Sequence, residues 1–182
     1  AASSHLMYAM RDGSSTSSNW VSRVVPNTGT PQYPALAFDG SGLPWISYYD
    51  VATGELRYKL LQNSQADGSG YWSAYQFPHF PAAAAGALPQ ANETAIAMYY
   101  SGSSASPVMI VIDNATVKTV KAARLNPSTG VWGTVATIKT LGASGGAHLS
   151  ADFDTNGNIV VAFYDLTTTK VNYSSTADGG ST

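Results

Sequence analysis

The chain has 182 residues, nine Lys and Arg against eleven Asp and Glu, a net charge of −2 and no cysteine. Charged residues make up only 11%, so no basic stripe can neutralise nucleic-acid phosphates, and no apolar run reaches the ~20 residues that cross a bilayer as a helix. Disulfide, zinc–thiolate and cysteine-nucleophile chemistry are excluded.

Neither nucleic acid nor membrane insertion is expected. Eleven tyrosines and four tryptophans on a weakly charged chain match an extracellular β-protein, so the expected location is secreted or cell-surface. Residues 1–5 read as an expression remnant or an unstructured start, and residues 6–182 as one β-rich region. In chain order, residues 6–26 hold two strands, "HLMYAM" and "NWVSRVV". Residues 33–78 hold four: "PALAFD", "PWISYYD", "ELRYKLL" and "YWSAYQF". The breaks "DGSG", "DVATGE" and "ADGSG" are turn chemistry, with Asp side chains that bond their own backbone and glycines that take positive φ. "PAAAAGALP" (Pro81 to Pro89) is proline-bounded and reads as a loop. Residues 92–138 hold "TAIAMYY", "PVMIVID", "VKTVKAARL" and a fourth strand at Trp132, and residues 147–182 hold three strands and a closing turn. Helical periodicity of useful length is absent, and four-stranded units of ~50 residues are the signature of propeller blades. The predicted fold is all-β: β-propeller blades of four antiparallel strands, forming an incomplete propeller in one chain.

The blades are copies of one another. "LAFDGSGLPWISYYDVATGELRY" (Leu36 to Tyr58) aligns without a gap on "ADFDTNGNIVVAFYDLTTTKVNY" (Ala151 to Tyr173) at a constant offset of 115. Phe38 falls on Phe153, Asp39 on Asp154, Gly42 on Gly157, Asp50 on Asp165 and Tyr58 on Tyr173. Trp20, Trp72 and Trp132, at intervals of 52 and 60 residues, mark the fourth strands.

The terminal Thr176-x-Asp178-x-Gly180-x-Thr182 resembles the Asp-box, or bacterial neuraminidase repeat, whose pattern is Ser/Thr-x-Asp-x-Gly-x-Thr-Trp. Asp67 to Trp72 is a looser match. The resemblance implies a sialidase-like β-propeller in which the box is the turn between third and fourth strands. It makes Asp67, Asp178 and Gly180 structural turn residues, the carboxylates accepting backbone amides and therefore poor proton donors. A working sialidase needs an arginine triad, a Tyr–Glu pair and an Asp acid/base. Arg23, Arg57 and Arg124 lie on third and fourth strands and are expected at the outer surface, and Glu55 and Glu93 are the only glutamates. No catalytic residue is assigned and no sialidase activity is expected.

The candidate ligand-binding residues are aromatic. The pairs Tyr48–Tyr49, Tyr99–Tyr100 and Phe163–Tyr164 are read as recurring at second-strand ends, and Trp45 is a tryptophan its repeats lack. These rings either pack between blades or stack on the C–H face of a sugar; Trp45, Tyr48, Tyr99 and Tyr164 are the candidates for the second role. "DFDTNG" offers Asp152, Asp154 and Asn156 as the first half of a calcium loop, or as an Asp-capped hairpin turn. No other metal or cofactor is indicated. The expected function is a non-catalytic extracellular recognition module that binds carbohydrate or acts in surface adhesion, its partner a glycan or a surface protein. The alternatives are part of a glycoside hydrolase with catalytic residues elsewhere, and a structural protein–protein platform or fibre component. About three blades are too few to close a propeller, which needs at least four. A homo-oligomer is therefore expected, in which Trp20 of one copy completes the blade ending at Thr182 of the next; the other expectation is a longer chain carrying the remaining blades.

Overall fold

The computed structural model describes residues 5–11, 20–64, 70–73, 91–101, 104–114 and 117–176. All regular structure among them is β, in four antiparallel sheets that follow chain order. The first pairs β1 (Met7–Arg11) with β2 (Trp20–Val24). The second runs β3 (Pro31–Phe38), β4 (Pro44–Asp50), β5 (Glu55–Ser64) and β6 (Gly70–Trp72). The third runs β7 (Ala91–Ser101), β8 (Ser104–Asp113) and β9 (Thr119–Asn126). Its outer position is split between β10 (Val131–Trp132) and β11 (Ala136–Thr140), both hydrogen-bonded to β9. The fourth sheet runs β12 (Gly146–Phe153), β13 (Ile159–Asp165) and β14 (Lys170–Thr176). The blade architecture expected from the repeats is the one observed. The turn residues Asp67, Asp178 and Gly180 lie outside the described residues.

Strand alternation sends successive side chains to opposite faces, so each inner sheet packs on both sides. Ile46, Tyr48, Leu61 and Trp72 of the second sheet meet Leu6, Tyr8 and Val25. Its other face, with Tyr49, Leu56 and Tyr58, meets Ile96, Met109 and Val111 of the third. Val108, Ile110 and Ile112 on the far side of the third sheet pack on Ile159, Val161 and Phe163 of the fourth. Each fully buried aliphatic or Phe side chain here contributes about 1.5–3 kcal/mol, which makes these three seams the source of cohesion.

The 115-residue offset holds in the backbone. Ala35 pairs Ser47 as Ser150 pairs Ala162, and Ser47 pairs Tyr58 as Ala162 pairs Tyr173. The bulge between Gln32 and Ala35 recurs between Ala147 and Ser150, with Tyr33 (φ 52°) and His148 (φ 55°) both left-handed. The Asp-to-Gly turns recur too: Asp39 Oδ1 accepts the amides of Ser41 and Leu43 (both 2.9 Å), and Asp154 Oδ1 those of Asn156 and Asn158 (2.9 and 2.8 Å).

Three expectations are corrected. Tyr99 and Tyr100 end a first strand, not a second: Tyr99 pairs Ser106 across the β7–β8 hairpin. Arg57 is buried instead of exposed, because its guanidinium forms an ion pair with Asp50 at 2.6 Å. Nor can β2 complete the blade of another copy as a fourth strand, because β1 already occupies the edge such a strand would offer, from Met7↔Val24 to Arg11↔Trp20.

Each complete second strand ends on a buried aspartate: Asp50, Asp113 and Asp165. Asp50 Oδ1 accepts the amides of Thr30 (3.0 Å) and Ala52 (3.1 Å), and a Cβ at Gly29 would collide with this carboxylate. Lys121 pairs with Asp113 at 2.7 Å. Asp165 instead accepts the amides of Thr167 (2.8 Å) and Thr168 (3.3 Å), and Asn172 stands where the second sheet has Arg57. Asp50→Ala removes the Thr30 and Ala52 turn hydrogen bonds and one of the two carboxylates on the buried Arg57 guanidinium, with Glu55 Oε2 remaining at 2.7 Å, so it should cost about 3 kcal/mol. Asp165→Ala loses only turn hydrogen bonds and should cost about 1–2 kcal/mol. Urea unfolding of both variants checks the order; equal losses would contradict the ion-pair account.

Candidate functional site

The first strands of the last three sheets run side by side, with β7 between β3 and β12. They form an inner wall with two rims. At the rim where the strands begin, the bulges leave backbone groups outside the ladder, and β7 side chains meet them. Thr94 Oγ1 donates to the Tyr33 carbonyl (2.6 Å), and the Leu149 amide donates to Glu93 Oε2 (3.2 Å). Tyr33, Glu93 and His148 occupy corresponding positions on three neighbouring strands, and the Tyr33 and His148 side chains are exposed.

At the opposite rim the wall opens into two adjoining cavities. One, of about 280 Å³, is lined by Met98, Tyr99, Tyr100, Asp152, Phe153 and neighbouring turn residues. The other, of about 240 Å³, is lined by Leu36, Phe38, Ala97, Met98, Tyr100 and Asp152 among others. Met98, Tyr100 and Asp152 are common to both, so the two form one open cleft across β3, β7 and β12.

Its geometry follows from one departure from the repeat. β3 and β12 stop at Asp-capped turns, whereas β7 runs on into a hairpin closed at Ser101↔Ser104. That carries Tyr99 and Tyr100 between the two turns. Tyr99 is a fixed wall: the Arg124 guanidinium lies 3.9 Å from its ring centroid, and Phe153 is at 5.2 Å and 59°. Arg124 is in turn held by a 3.1 Å hydrogen bond from Nε to Ser106 Oγ. Gly157 (φ 81°) lies against the same ring, where a Cβ would come within 2.9 Å of Tyr99 Cε2. Tyr100 is 52% exposed, and its hydroxyl donates to the Phe38 carbonyl at 2.6 Å, which presents the ring in one orientation.

Of the residues proposed from sequence, Tyr99, Asp152 and Asp154 come together in this cleft. Tyr48 is fully buried in the seam between the first two sheets; its candidacy as a ligand platform is corrected, because no ring face is accessible. Trp45 stacks on Tyr58 (5.4 Å, 17°), and its indole N–H donates to Asp39 Oδ2 at 3.2 Å. It packs the second sheet against the third. Tyr164 lies near His148 (ring centroids 6.3 Å), outside the cleft. Tyr100 was missed as a candidate in its own right, although its place outside the repeat was a usable signal.

Asp154 behaves as a turn cap. Beyond the two amides, its Oδ2 accepts Asn158 Nδ2 at 2.7 Å. Asn156 enters the turn through its backbone amide. Among the described residues no group of three or more His, Cys, Asp and Glu is placed to hold a metal ion. Asp152 is exposed, and one of its oxygens accepts the Phe153 amide at 2.8 Å. An exposed aromatic ring, a carboxylate and an apolar wall can together take the C–H face of a small polar ring and accept hydrogen bonds from its hydroxyls.

No family model and no curated protein matches the chain. Its structure is similar to the alpha-L-arabinofuranosidase PaAbf62A from Podospora anserina, solved in complex with cellotriose, with a TM-score of 0.52 and 10% sequence identity. The match covers 94% of this chain and 58% of that one, so the chain spans less than two thirds of that protein's length. At this identity the likeness establishes the propeller fold.

Hydrogen bonds from the Asn158 side chain and amide, and from Asn156, hold the Asp154 carboxyl below the usual aspartate range. A depressed folded-state pKa gives stability that is full above the unfolded value of about 3.9 and lost as pH falls through the folded one. Asp154→Asn should therefore be less stable than the parent near neutral pH, with the gap narrowing below about pH 4. Urea midpoints at both pH values test this; a gap independent of pH would contradict it.

Proposed function

We propose that this chain is a glycan-recognition module of the β-propeller class, acting outside the cell without catalysing a reaction. The observation that carries the reading is the cleft across β3, β7 and β12, where the anchored, half-exposed Tyr100 ring stands beside Asp152. Carbohydrate recognition combines those two elements: a ring for the apolar face of the sugar and an acceptor for its hydroxyls. The cellotriose bound by the arabinofuranosidase of like fold supports a glycan as the class of partner, and the weakly charged, tyrosine-rich composition supports an extracellular setting. Within the propellers, the Asp-box resemblance of Thr176 to Thr182 favours a sialidase-like subclass.

The lack of catalysis rests on the carboxylates. Hydrolysis by the usual route needs an acid and a second carboxylate across the scissile bond. Among the described residues that line this cleft, Asp154 is occupied as a turn cap, which leaves Asp152 as the other carboxylate. The second reading, a portion of a glycoside hydrolase, is favoured by the printed activity of the same neighbour.

Calorimetric titration with cello-oligosaccharides and arabinofuranose-bearing glycans should give saturable binding. Tyr100→Ala and Asp152→Ala should each weaken it about tenfold, the equivalent of ~1.4 kcal/mol, and Tyr164→Ala should leave it unchanged. Absence of binding across the panel, or equal affinity in Tyr100→Ala, would remove this assignment. Turnover of an arabinofuranoside by the pure chain would favour the hydrolase reading.

A further inference from the structure

The side chains of the cleft across β3, β7 and β12 carry negative charge and few donors. Among the described residues that line its two cavities, the charged side chains are Asp152 and Asp154, and there is no Lys, Arg or His. The hydrogen bonds that cap Asp154 favour its ionised form, so its charge stays although its oxygens are occupied. Asp152 is exposed and uses one oxygen for the Phe153 amide, which leaves the second for a ligand. The Tyr100 hydroxyl already donates to the Phe38 carbonyl, so this residue offers a ring face. The Arg124 guanidinium is stacked on Tyr99 and bonded to Ser106, and it does not line the cleft.

The two walls differ. Ala37 stands on β3 where β12 has Asp152, at the 115-residue offset of the repeat, and Leu36 and Phe38 on either side of it are about half exposed. One wall is therefore apolar and the other anionic, with the Tyr100 ring lining both cavities. An ammonium group brings three donors and no acceptor. It is attracted by a carboxylate and by the face of an aromatic ring alike. An acidic sugar brings acceptors only and meets like charge.

We propose that the cleft selects glycans whose sugar units carry a free amine, with the ammonium on Asp152 beside the Tyr100 face, and rejects acidic ones. This rests on the glycan reading above and names the class of glycan. Asp152 is the specificity-determining residue, because it is the one charge in the lining that its own turn does not fill.

Three trisaccharides of β-1,4-linked glucose, glucosamine and N-acetylglucosamine differ only at the second carbon, and trigalacturonate supplies the acidic case. Calorimetric titration at low salt and about pH 5.5, where amines are charged and carboxylates ionised, should rank the glucosamine trimer about tenfold tighter than cellotriose. The N-acetylated trimer should lose that advantage, and trigalacturonate should bind more weakly than cellotriose. Asp152→Asn keeps an acceptor and removes the charge. It should bring the glucosamine trimer to within about twofold of cellotriose while cellotriose itself still binds, which also reports that the variant is folded. Equal affinity of the parent for cellotriose and the glucosamine trimer would overturn the proposal and leave the glycan reading standing. So would an amine preference that survives Asp152→Asn. Failure of all four trisaccharides to bind would remove both.

Discussion

Each first strand carries one residue too many, and the wall of the molecule depends on how that surplus is satisfied. A bulge takes backbone groups out of their ladder, and groups left without partners away from water would be costly. Here the neighbouring sheet takes part. The Tyr33 carbonyl is met by Thr94, and Thr94 Oγ1 is also within 3.0 Å of Ser47 Oγ. The Leu149 amide is met by Glu93. Both partners come from the start of β7, which therefore ties the sheets on either side of it. Bulges also sharpen local twist, which suits strands that must fan about an axis. Hydrophobic seams supply most of the cohesion, but they slide easily; directional bonds at the bulges set how far one sheet is shifted along the next.

With that alignment set, the cleft follows from a difference in strand length. Asp39 and Asp154 close the neighbouring turns by capping their own amides. The middle sheet has Tyr99 in the corresponding place, extends its hairpin, and projects two tyrosines between the turns. Arg124 and Phe153 fix one ring, and the Phe38 carbonyl fixes the hydroxyl of the other. A repeated scaffold thereby supports one unrepeated feature, and its parts are held before any ligand arrives, which lowers the ordering cost of binding.

The repeat was legible because its turns are local. Asp-x-x-Gly and period-two alternation are written in adjacent residues, and a gapless offset carries the pairing of the second sheet into the fourth. What lay beyond reach was non-local. Alternation says that Tyr48 and Tyr49 face opposite ways but not which neighbour either meets, so a fully buried ring passed for a platform. The Tyr–Tyr dipeptide at Tyr99 mimicked the second-strand pair; the true counterparts are Val111 and Ile112, which the register against β9 reveals. Arg57 read as an isolated strand charge because its partner Asp50 sits diagonally across the β4–β5 ladder. Glu93 and Thr94 bond residues more than fifty positions away, and no spacing rule reports that.

The central claim is that β7 side chains hold the bulged backbones of adjacent sheets. Hydrogen exchange at a single amide tests it most directly. The Leu149 amide should be protected in the parent chain and should exchange at least about tenfold faster in Glu93→Ala, with the β13 amides of Val161 and Phe163 unchanged. An unprotected Leu149 amide in the parent, or one whose exchange is indifferent to Glu93, would contradict the account.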